Sequence, residues 1–334
     1  MSKIRWGILG TGRIAGLYAD ALKYCTDCAE ITAVGSRTYE NAAKFAGKYD
    51  IPNVYGSYGE FVECPDIDVI YIASPNTSHY EHSMMALKAG KGVLCEKPLM
   101  INAGEAVELI EYARERNLFF CEAMWSRFFP CEQKVREWLD DGVIGEIRLV
   151  SSDFGFNAPV NPENRIFKLE LGGGALIDMG VYTIAFATMV YGDEAPLAIK
   201  GTAYMCDTGV DGVTNVSLQY PNGVASLSCG VVCGMPAKGV IHGHSGRIEF
   251  DRFWASDKVR LIRHGMEDEV FECPYECNGY EYEIREVARC IDNGLIESPY
   301  ITHKGSINIM NIMDEVRLQI GLKYPDEHVT SNED

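Results

Sequence analysis

The chain has 334 residues, with 30 Lys and Arg against 48 Asp and Glu, so its formal net charge is −18. No run of Lys and Arg provides the basic surface that nucleic acid or an anionic membrane requires, so we expect neither as a partner. Hydrophobic residues make up 47% of the chain and charged residues 23%, which is typical of a globular protein and excludes a disordered one. The length predicts two domains.

The amino-terminal sequence favours a cytoplasmic protein. Apolar residues begin almost at once in MSKIRWGILG, with no basic segment, long apolar stretch or cleavage site before them. No segment approaches the roughly 20 uninterrupted apolar residues of a membrane-spanning helix. The 12 cysteines are spread over the chain, which favours reduced thiols over disulfides. Cys25 and Cys28 form one C-x-x-C pair, but the other close pairs have a different spacing, so we predict no metal site.

Residues 1–123 are predicted to form a Rossmann domain that binds a dinucleotide. Short β-rich segments alternate there with helical segments, which is typical of a parallel sheet with helices on both faces. The predicted strands are 4–9, 30–34, 69–73, 92–95 and 118–121, and the predicted helices are 14–24, 39–49, 77–89 and 102–116.

Residues 124–334 are predicted to form an α+β domain for substrate binding and oligomerisation. Long strand-like segments joined by turns such as Pro221-Asn222-Gly223 indicate a large, mostly antiparallel, open-faced sheet. The predicted strands are 146–156, 198–206, 213–220, 224–232 and 238–242, and the predicted helices are 132–140, 175–191, 280–293 and 304–324.

The first predicted strand runs directly into a G-x-G-x-x-A motif. Gly10 makes the tight turn, Gly12 lets the backbone approach a pyrophosphate, and the small Ala15 lets helix and strand pack closely. The amino terminus of the following helix, with Arg13 and Ile14, then receives the anion. Between a strand and a helix, this motif predicts a dinucleotide site.

The end of the second strand discriminates between the two nicotinamide cofactors. Sites that prefer NAD usually carry an Asp or Glu there for the ribose 2′-hydroxyl, but this chain has Ser36, Arg37 and Thr38. Arg37 can stack on adenine and donate paired hydrogen bonds to a 2′-phosphate, and the two hydroxyls are further donors. NADP is therefore favoured, with NAD still possible.

Two later strands end in polar segments, 73–79 and 93–98, at the edge of the sheet where open α/β folds bind ligands. The second contains Glu-Lys-Pro, and a G-G-G-x-L-x-D-x-G-x-Y pattern spans residues 172–182. Together with the glycine motif, these segments resemble the Gfo/Idh/MocA oxidoreductase family over essentially the whole chain.

Within that family, the segment 122–130 and Tyr182 look like the branch of dimeric dihydrodiol dehydrogenases and NADP-dependent D-xylose dehydrogenases. Inositol dehydrogenases of the family carry histidine in place of Tyr182. The resemblance implies an oxidoreductase that transfers a hydride between nicotinamide and a secondary alcohol or carbonyl. The implied substrate is a sugar, a cyclic polyol or a trans-dihydrodiol. It also implies a homodimer or homotetramer.

The chemistry requires a group that takes the hydroxyl proton on oxidation and returns it on reduction. Tyrosine has an ordinary pKa of about 10, so near neutral pH it needs a cation to stabilise its phenolate. We assign Tyr182 as the acid/base and Lys97 as that cation, with a further contact of Lys97 to the nicotinamide ribose implied by the resemblance. Asp178, four residues before Tyr182, is predicted to orient the substrate hydroxyl or the lysine.

Further candidates surround these residues. Ser74, Asn76, His79 and Glu96 are assigned to the cofactor, although Asn76 is equally suited to cap a helix and His79 to pack in the core. Aromatic rings can pack against the C–H faces of sugars or against a planar diene, and an arginine can donate to hydroxyls. The candidate substrate residues are Trp125, Arg127, Phe128, Phe154 and Phe156.

Two alternatives stay open. One is a dinucleotide-sensing regulator without catalysis, since some relatives of this kind keep the fold and lose the catalytic lysine. The other is a glycosidase that oxidises and re-reduces its sugar on a tightly held NAD. The presence of Lys97 and Tyr182 disfavours the first, and Arg37 disfavours the second.

Overall fold

A computed structural model describes residues 3–325. Over that range the chain divides into two compact units. The first comprises the residues up to Met100, Gly104–Trp125 and Tyr275–His303, and the second comprises Ile101–Ala103, Ser126–Pro274 and the residues from Lys304 onward.

The described residues contain 14 strands and nine α-helices. The strands are β1 (Ile4–Leu9), β2 (Ala29–Gly35), β3 (Asn53–Tyr55), β4 (Val69–Ile72), β5 (Gly92–Glu96), β6 (Phe120–Ala123), β7 (Ile147–Gly155), β8 (Ala198–Met205), β9 (Asp211–Tyr220), β10 (Gly223–Gly230), β11 (Lys238–Gly243), β12 (Gly246–Asp251), β13 (Lys258–Arg263) and β14 (Glu269–Glu272). The helices are α1 (Arg13–Tyr24), α2 (Tyr39–Tyr49), α3 (Tyr58–Val62), α4 (His79–Lys88), α5 (Ala103–Glu115), α6 (Pro130–Asp140), α7 (Val181–Tyr191), α8 (Glu281–Asp292) and α9 (His303–Ile320).

The first unit contains a six-stranded parallel sheet in the order β3-β2-β1-β4-β5-β6. The central strands β4 and β5 are buried at every position, as expected for a sheet covered on both faces. The chain changes direction across the sheet between β1 and β4, and such a switch point opens a crevice at the carboxyl ends of the strands. The predicted Rossmann fold is confirmed.

The second unit contains an eight-stranded sheet in the order β14-β13-β12-β11-β7-β10-β9-β8. Every neighbouring pair is antiparallel except β7 and β10, which run parallel. Along β9 buried Val216 and Leu218 alternate with exposed Asn215, Ser217 and Gln219, so one face of the sheet packs on the core and the other is polar. The predicted α+β fold with a mostly antiparallel, open-faced sheet is confirmed.

Helix α7 lies in the core of the second unit and is preceded by a π-helical turn, Leu176–Gly180. The segment Leu169–Tyr191 is long and apolar enough to cross a membrane by composition, but 94% of its most apolar window is buried inside the protein. A helix that is hydrophobic on all sides is typical of a protein core when other elements cover it.

Helix α8 clusters with the first unit, although the sequence alone groups it with the second domain. Asn278, just before the helix, donates from Nδ2 to the carbonyl of Leu17 on α1 at 2.9 Å. Tyr280 stacks on Trp125 with ring centroids 4.8 Å apart. These contacts join a segment distant in sequence to the rest of the first unit.

Gly174 provides a test of the backbone that leads into the π-helical turn. Its φ is +126°, and a Cβ there would overlap Oδ1 of the buried Asp211. We expect Gly174→Ala to destabilise the protein by about 1–3 kcal/mol, because both the conformation and the contact oppose a side chain. Thermal unfolding measures this loss. The matched control is Gly47→Ala, at an exposed position of α2. A Cβ there would meet no atom within 4 Å, and alanine has a higher helix propensity than glycine. Equal melting temperatures for the two variants would contradict the assignment.

Candidate active site

The strand ends of the first unit lie level at one edge of the sheet. Leu9 pairs in register with Gly35 of β2 and with Ile72 of β4, and Ile72 pairs with Cys95 of β5. The residues that follow these strands are therefore brought to the same edge. They are the predicted cofactor residues of the glycine turn and of the segments that begin at Ser36, Ser74 and Glu96.

The glycine turn has the geometry of an anion site. Gly10 has φ +107°, and a Cβ there would lie 2.8 Å from the carbonyl oxygen of Ala73, so only glycine fits. A Cβ at Gly12, by contrast, would meet no atom within 4 Å. Helix α1 begins immediately afterwards at Arg13, with no side-chain cap and no acidic residue in its first turn. Its amide groups can therefore receive a pyrophosphate.

The three residues after β2 differ in exposure. Ser36 is buried, and its hydroxyl lies 3.4 Å from that of Thr11. Arg37 and Thr38 are exposed. Thr38 caps α2 by accepting a hydrogen bond from the amide of Asn41 at 3.4 Å, which leaves its hydroxyl proton available for a ligand.

The segment after β4 holds one polar group with no partner. Asn76 is buried, and its Nδ2 makes no hydrogen bond among the described residues. A buried amide without a partner is costly, and a bound dinucleotide that accepts from it would remove that cost. Together with the open space over Gly12, this group fits a nicotinamide dinucleotide at the edge of the sheet.

His79 contacts the backbone of two of these segments, the one after β4 and the one after β5. Its ring is fully buried, with Nδ1 2.9 Å from the carbonyl oxygen of Pro98 and Nε2 3.0 Å from that of Ser74. Burial lowers the pKa of His79 to about 4, so the ring is neutral near pH 7. The structure thus places His79 under the loops that carry Ser74 and Lys97, while its predicted contact with the cofactor stays a prediction.

Glu96 is buried beneath the segment that carries Lys97. Its carboxylate accepts a hydrogen bond from the hydroxyl of Tyr71 and another, 3.3 Å long, from the amide of Lys97. The Tyr71 ring in turn stacks on Tyr18, with centroids 3.7 Å apart. Lys97 itself is half-buried.

A second buried carboxyl lies close to this network. Glu283 of α8 is fully buried, and neither carboxyl oxygen has a hydrogen-bond partner among residues 3–325. Burial first, and then the charges of Glu96 and Glu281, raise the pKa of Glu283 well above its ordinary value. The raised pKa favours the protonated form of Glu283, which adds less negative charge behind Glu96 than a carboxylate would.

In the second unit, Tyr182 lies in an aromatic group. Phe154 of β7 meets it edge-on with centroids 5.7 Å apart, and Trp254 lies 6.2 Å away. Phe154 and Trp254 stack on each other at 4.6 Å and 10°. The half-buried Tyr182 ring is thus packed among aromatic side chains. Phe156 is also half-buried and packs on the neighbouring core beside Phe167.

Asp178 lies in the π-helical turn before Tyr182. It is buried and accepts a hydrogen bond of 3.1 Å from Nη2 of the partly exposed Arg165. The turn is anchored by Asp211, whose carboxylate accepts from the amide of Leu176 at 2.7 Å and from the hydroxyl of Thr214 at 2.6 Å. π-helical turns are frequent at functional sites.

The remaining predicted substrate residues are divided between the two units by their contacts. Trp125 is half-buried in the first unit, where it stacks on Tyr280. Arg127 and Phe128 are buried in the second unit. The Arg127 guanidinium donates to the Ala185 carbonyl at 2.7 Å and to the Thr188 hydroxyl at 2.8 Å, so it is tied to α7. Its predicted donation to substrate hydroxyls stays a prediction.

Sequence reasoning missed Trp254, Arg165 and Asp211. Trp254 follows a strand in a segment with no recognisable motif, and only the folded sheet brings it to Phe154. Asp211 could have been suspected, because Asp is uncommon in strands. No group of three or more His, Cys, Asp or Glu side chains that could hold a metal occurs among the described residues.

Comparison with known proteins defines the class. Residues 4–123 match the model of the Gfo/Idh/MocA oxidoreductase family with its NAD-binding Rossmann fold, and residues 133–249 match the carboxy-terminal domain model of the same family. The chain belongs to the Gfo/Idh/MocA oxidoreductase family. The predictions of the family, of a dehydrogenase or reductase, and of a nicotinamide dinucleotide cofactor are confirmed.

Relatives and solved structures cover nearly the whole chain. A trans-1,2-dihydrobenzene-1,2-diol dehydrogenase from Xenopus laevis is 37% identical, over 96% of this chain and 99% of its own. The corresponding Homo sapiens protein is 34% identical, over 97% and 99%. The crystal structure of a 3-ketoreductase from Actinomadura kijaniata with NADP and TDP-benzene aligns with a TM-score of 0.82 at 28% identity, over 96% and 98%.

The raised pKa of Glu283 predicts a pH-dependent stability change. Below the ordinary glutamate pKa of about 4.3, both folded and unfolded states hold the proton, and the carboxyl costs nothing extra. Above it the unfolded state ionises while the folded state stays protonated, so stability falls as the pH rises toward the folded-state pKa. We expect Glu283→Gln to raise the melting temperature by about 2 °C or more at pH 8, and by less at pH 4.5.

The matched control is Glu281→Gln on the same helix. Glu281 is also fully buried, but its carboxylate accepts backbone hydrogen bonds from Cys277, Asn278 and Gly279 at 2.9, 3.1 and 2.7 Å. Losing that charge should lower the melting temperature near neutral pH. A Glu283→Gln variant whose melting temperature differs from wild type by the same amount at every pH would contradict a protonated Glu283.

Proposed function

We propose that this protein is an NADP-dependent dehydrogenase or reductase that acts on a secondary alcohol or carbonyl of a ring substrate. A trans-dihydrodiol is the first candidate, and aldoses and cyclic polyols are the others. The observation that carries the proposal is the aromatic group of Phe154 and Trp254 around the Tyr182 phenol. Flat aromatic faces suit a planar diene or the C–H face of a sugar, and the phenol suits its hydroxyl.

The preference for NADP over NAD is supported by the end of β2. The described residues that follow this strand supply hydroxyl groups from Ser36 and Thr38 and the exposed guanidinium of Arg37, with no carboxylate to hold a free 2′-hydroxyl. A guanidinium matches the geometry of a phosphate dianion. The 3-ketoreductase from Actinomadura kijaniata was crystallised with NADP, which accords with this preference.

The choice of substrate is supported by two comparisons. The relatives at 34–37% identity from Xenopus laevis and Homo sapiens are named for a trans-dihydrodiol of benzene, a flat ring with two hydroxyl groups. The 3-ketoreductase is named for a carbonyl group that it reduces. A carbon that bears hydroxyl or carbonyl oxygen is common to both names.

Different residues of this chain are proposed to bind the cofactor and to transfer the proton. The glycine turn, the amides of α1 and the Asn76 amide would hold the dinucleotide, which when bound accepts or supplies the hydride. Tyr182 takes the substrate hydroxyl proton during oxidation and returns it during reduction, while Asp178, fixed by Arg165, orients the oxygen. Lys97 is the cation that favours the phenolate and holds the cofactor ribose.

Removing either Tyr182 or Lys97 from the mechanism should lower turnover strongly. We expect Tyr182→Phe and Lys97→Ala each to reduce kcat by roughly a hundredfold or more, the usual scale for acid–base groups. Steady-state kinetics on the best substrate measures this effect. Tyr204→Phe, on an exposed tyrosine of β8, is the matched control and should leave kcat unchanged. A variant with wild-type kcat would remove that residue from the proposed mechanism.

A substrate panel tests the reaction itself. Formation of reduced nicotinamide is followed with a trans-dihydrodiol, D-xylose, D-glucose and myo-inositol, with NADP and NAD in parallel. We expect turnover with NADP on one substrate class, one cofactor consumed per substrate. Product formation without net cofactor consumption would instead indicate a glycosidase. Binding of both cofactors with no turnover in either direction would favour a sensing role.

A further inference from the structure

We propose that His82 is a second selectivity residue for the 2′-phosphate of NADP, and that it takes up a proton as the phosphate binds. This inference rests on the proposed preference for NADP. His82 belongs to no motif, and it lies in the first turn of α4, three residues beyond His79.

The position of His82 is set by three loops at the cofactor edge. Its Nδ1 lies 2.9 Å from the hydroxyl oxygen of Ser74, which follows β4. Its ring meets Tyr58 edge-on, with centroids 4.7 Å apart, and Tyr58 begins α3 after β3. Arg37 follows β2, and its charge acts on both rings. The ends of β2, β3 and β4 therefore meet around His82, where the adenosine half of the cofactor is expected.

The His82 ring is held in one orientation, but one of its two nitrogens makes no hydrogen bond among the described residues. His82 is buried to 9% exposure, and the Ser74 contact and the Tyr58 packing set its orientation. Among the described residues, Nε2 makes no hydrogen bond. When Nδ1 accepts from the Ser74 hydroxyl, Nε2 carries the ring proton and can donate to an anion. A protonated ring would donate with a full positive charge.

The surroundings keep His82 neutral in the free protein. Burial lowers its pKa, the Glu81 carboxylate on the same helix raises it, and the Arg37 charge lowers it. Burial also raises the pKa of Tyr58, so that phenol stays uncharged, and His79 below it is neutral as well. Arg37 and Glu81 are thus the charges that act on the ring. A phosphate dianion next to Arg37 would cancel its effect and favour the imidazolium.

This mechanism adds to the discrimination between NADP and NAD that the permanent charge of Arg37 provides. NAD presents a neutral 2′-hydroxyl, which does not raise the pKa of the His82 ring because it carries no negative charge. NADP presents a dianion whose own pKa is about 6, so near pH 7 it is almost fully charged. The gain from protonating His82 is therefore available to NADP alone, and it grows as the pH falls toward 7.

Calorimetric titration measures the uptake directly. NADP and NAD are titrated into the full-length protein at about pH 7 in two buffers with different heats of ionisation. We expect NADP binding to take up about half a proton and NAD binding to take up none. His82→Gln keeps a hydrogen-bonding side chain that cannot ionise. It should abolish the uptake and weaken NADP about fivefold to tenfold, with NAD affinity changed less than about twofold.

Two controls keep the test sharp. His264→Gln, on an exposed histidine of the second unit, should leave both affinities and the proton uptake at wild-type values. Repeating the titrations with His82→Gln at lower pH isolates the titration of the phosphate itself. A merely structural role for His82 would weaken NADP and NAD equally without changing the uptake, and that result would overturn the inference.

The outcomes also distinguish the inference from the proposed function. If wild-type protein binds NAD and NADP equally, and Arg37→Gln changes neither, the NADP preference itself fails. If wild-type protein prefers NADP and loses that preference in Arg37→Gln, while His82→Gln keeps the wild-type ratio and uptake, only the role of His82 is refuted.

Discussion

The close backbone approach at Gly10 is the constraint on which the cofactor edge depends. With φ at +107° and no side chain, the turn after β1 comes directly against the carbonyl of Ala73 after β4. Any Cβ would push the two loops apart and move α1, which begins three residues later. The register of β1, β2, β4 and β5 then brings the polar segments that follow them to the same edge.

Burial lowers the negative charge close to the cofactor edge of the first sheet. The protein carries a net charge of −18, yet it must hold an anionic cofactor. The Glu96 carboxylate accepts hydrogen bonds from the Tyr71 hydroxyl and the Lys97 amide, and burial raises the pKa of Glu283 and so favours its protonated form. Negative charge behind Lys97 is thereby reduced, and surface charges farther away are screened within about 10 Å by salt. A local anion site is thus compatible with an acidic protein.

The second unit contributes a rigid aromatic surface. The stacked pair of Phe154 and Trp254 comes from a central strand and from a short turn far along the chain, and both border Tyr182. Asp211 fixes the turn that precedes Tyr182 through a buried hydrogen bond to the Leu176 amide. The acid/base candidate is therefore placed by interactions inside one unit.

The sequence by itself determined the elements whose patterns are local. The strands near 4–9 and 92–95, the glycine turn and the Glu-Lys-Pro segment follow from apolar runs, glycine conformation and motif spacing, and all occur as expected. The short β3 was missed because three residues give a weak strand signal, and β12, β13 and β14 were also missed, although the alternation of polar and apolar residues in β12 is typical of a strand. The parallel pairing of β7 with β10, the junction of Trp254 with Phe154, and the meeting of His82 with Tyr58 and Ser74 were decided only by the tertiary structure. Each of these contacts joins residues from different segments of the chain, and no local sequence pattern indicates that they meet. Only the packing of complete sheets and helices determines these contacts.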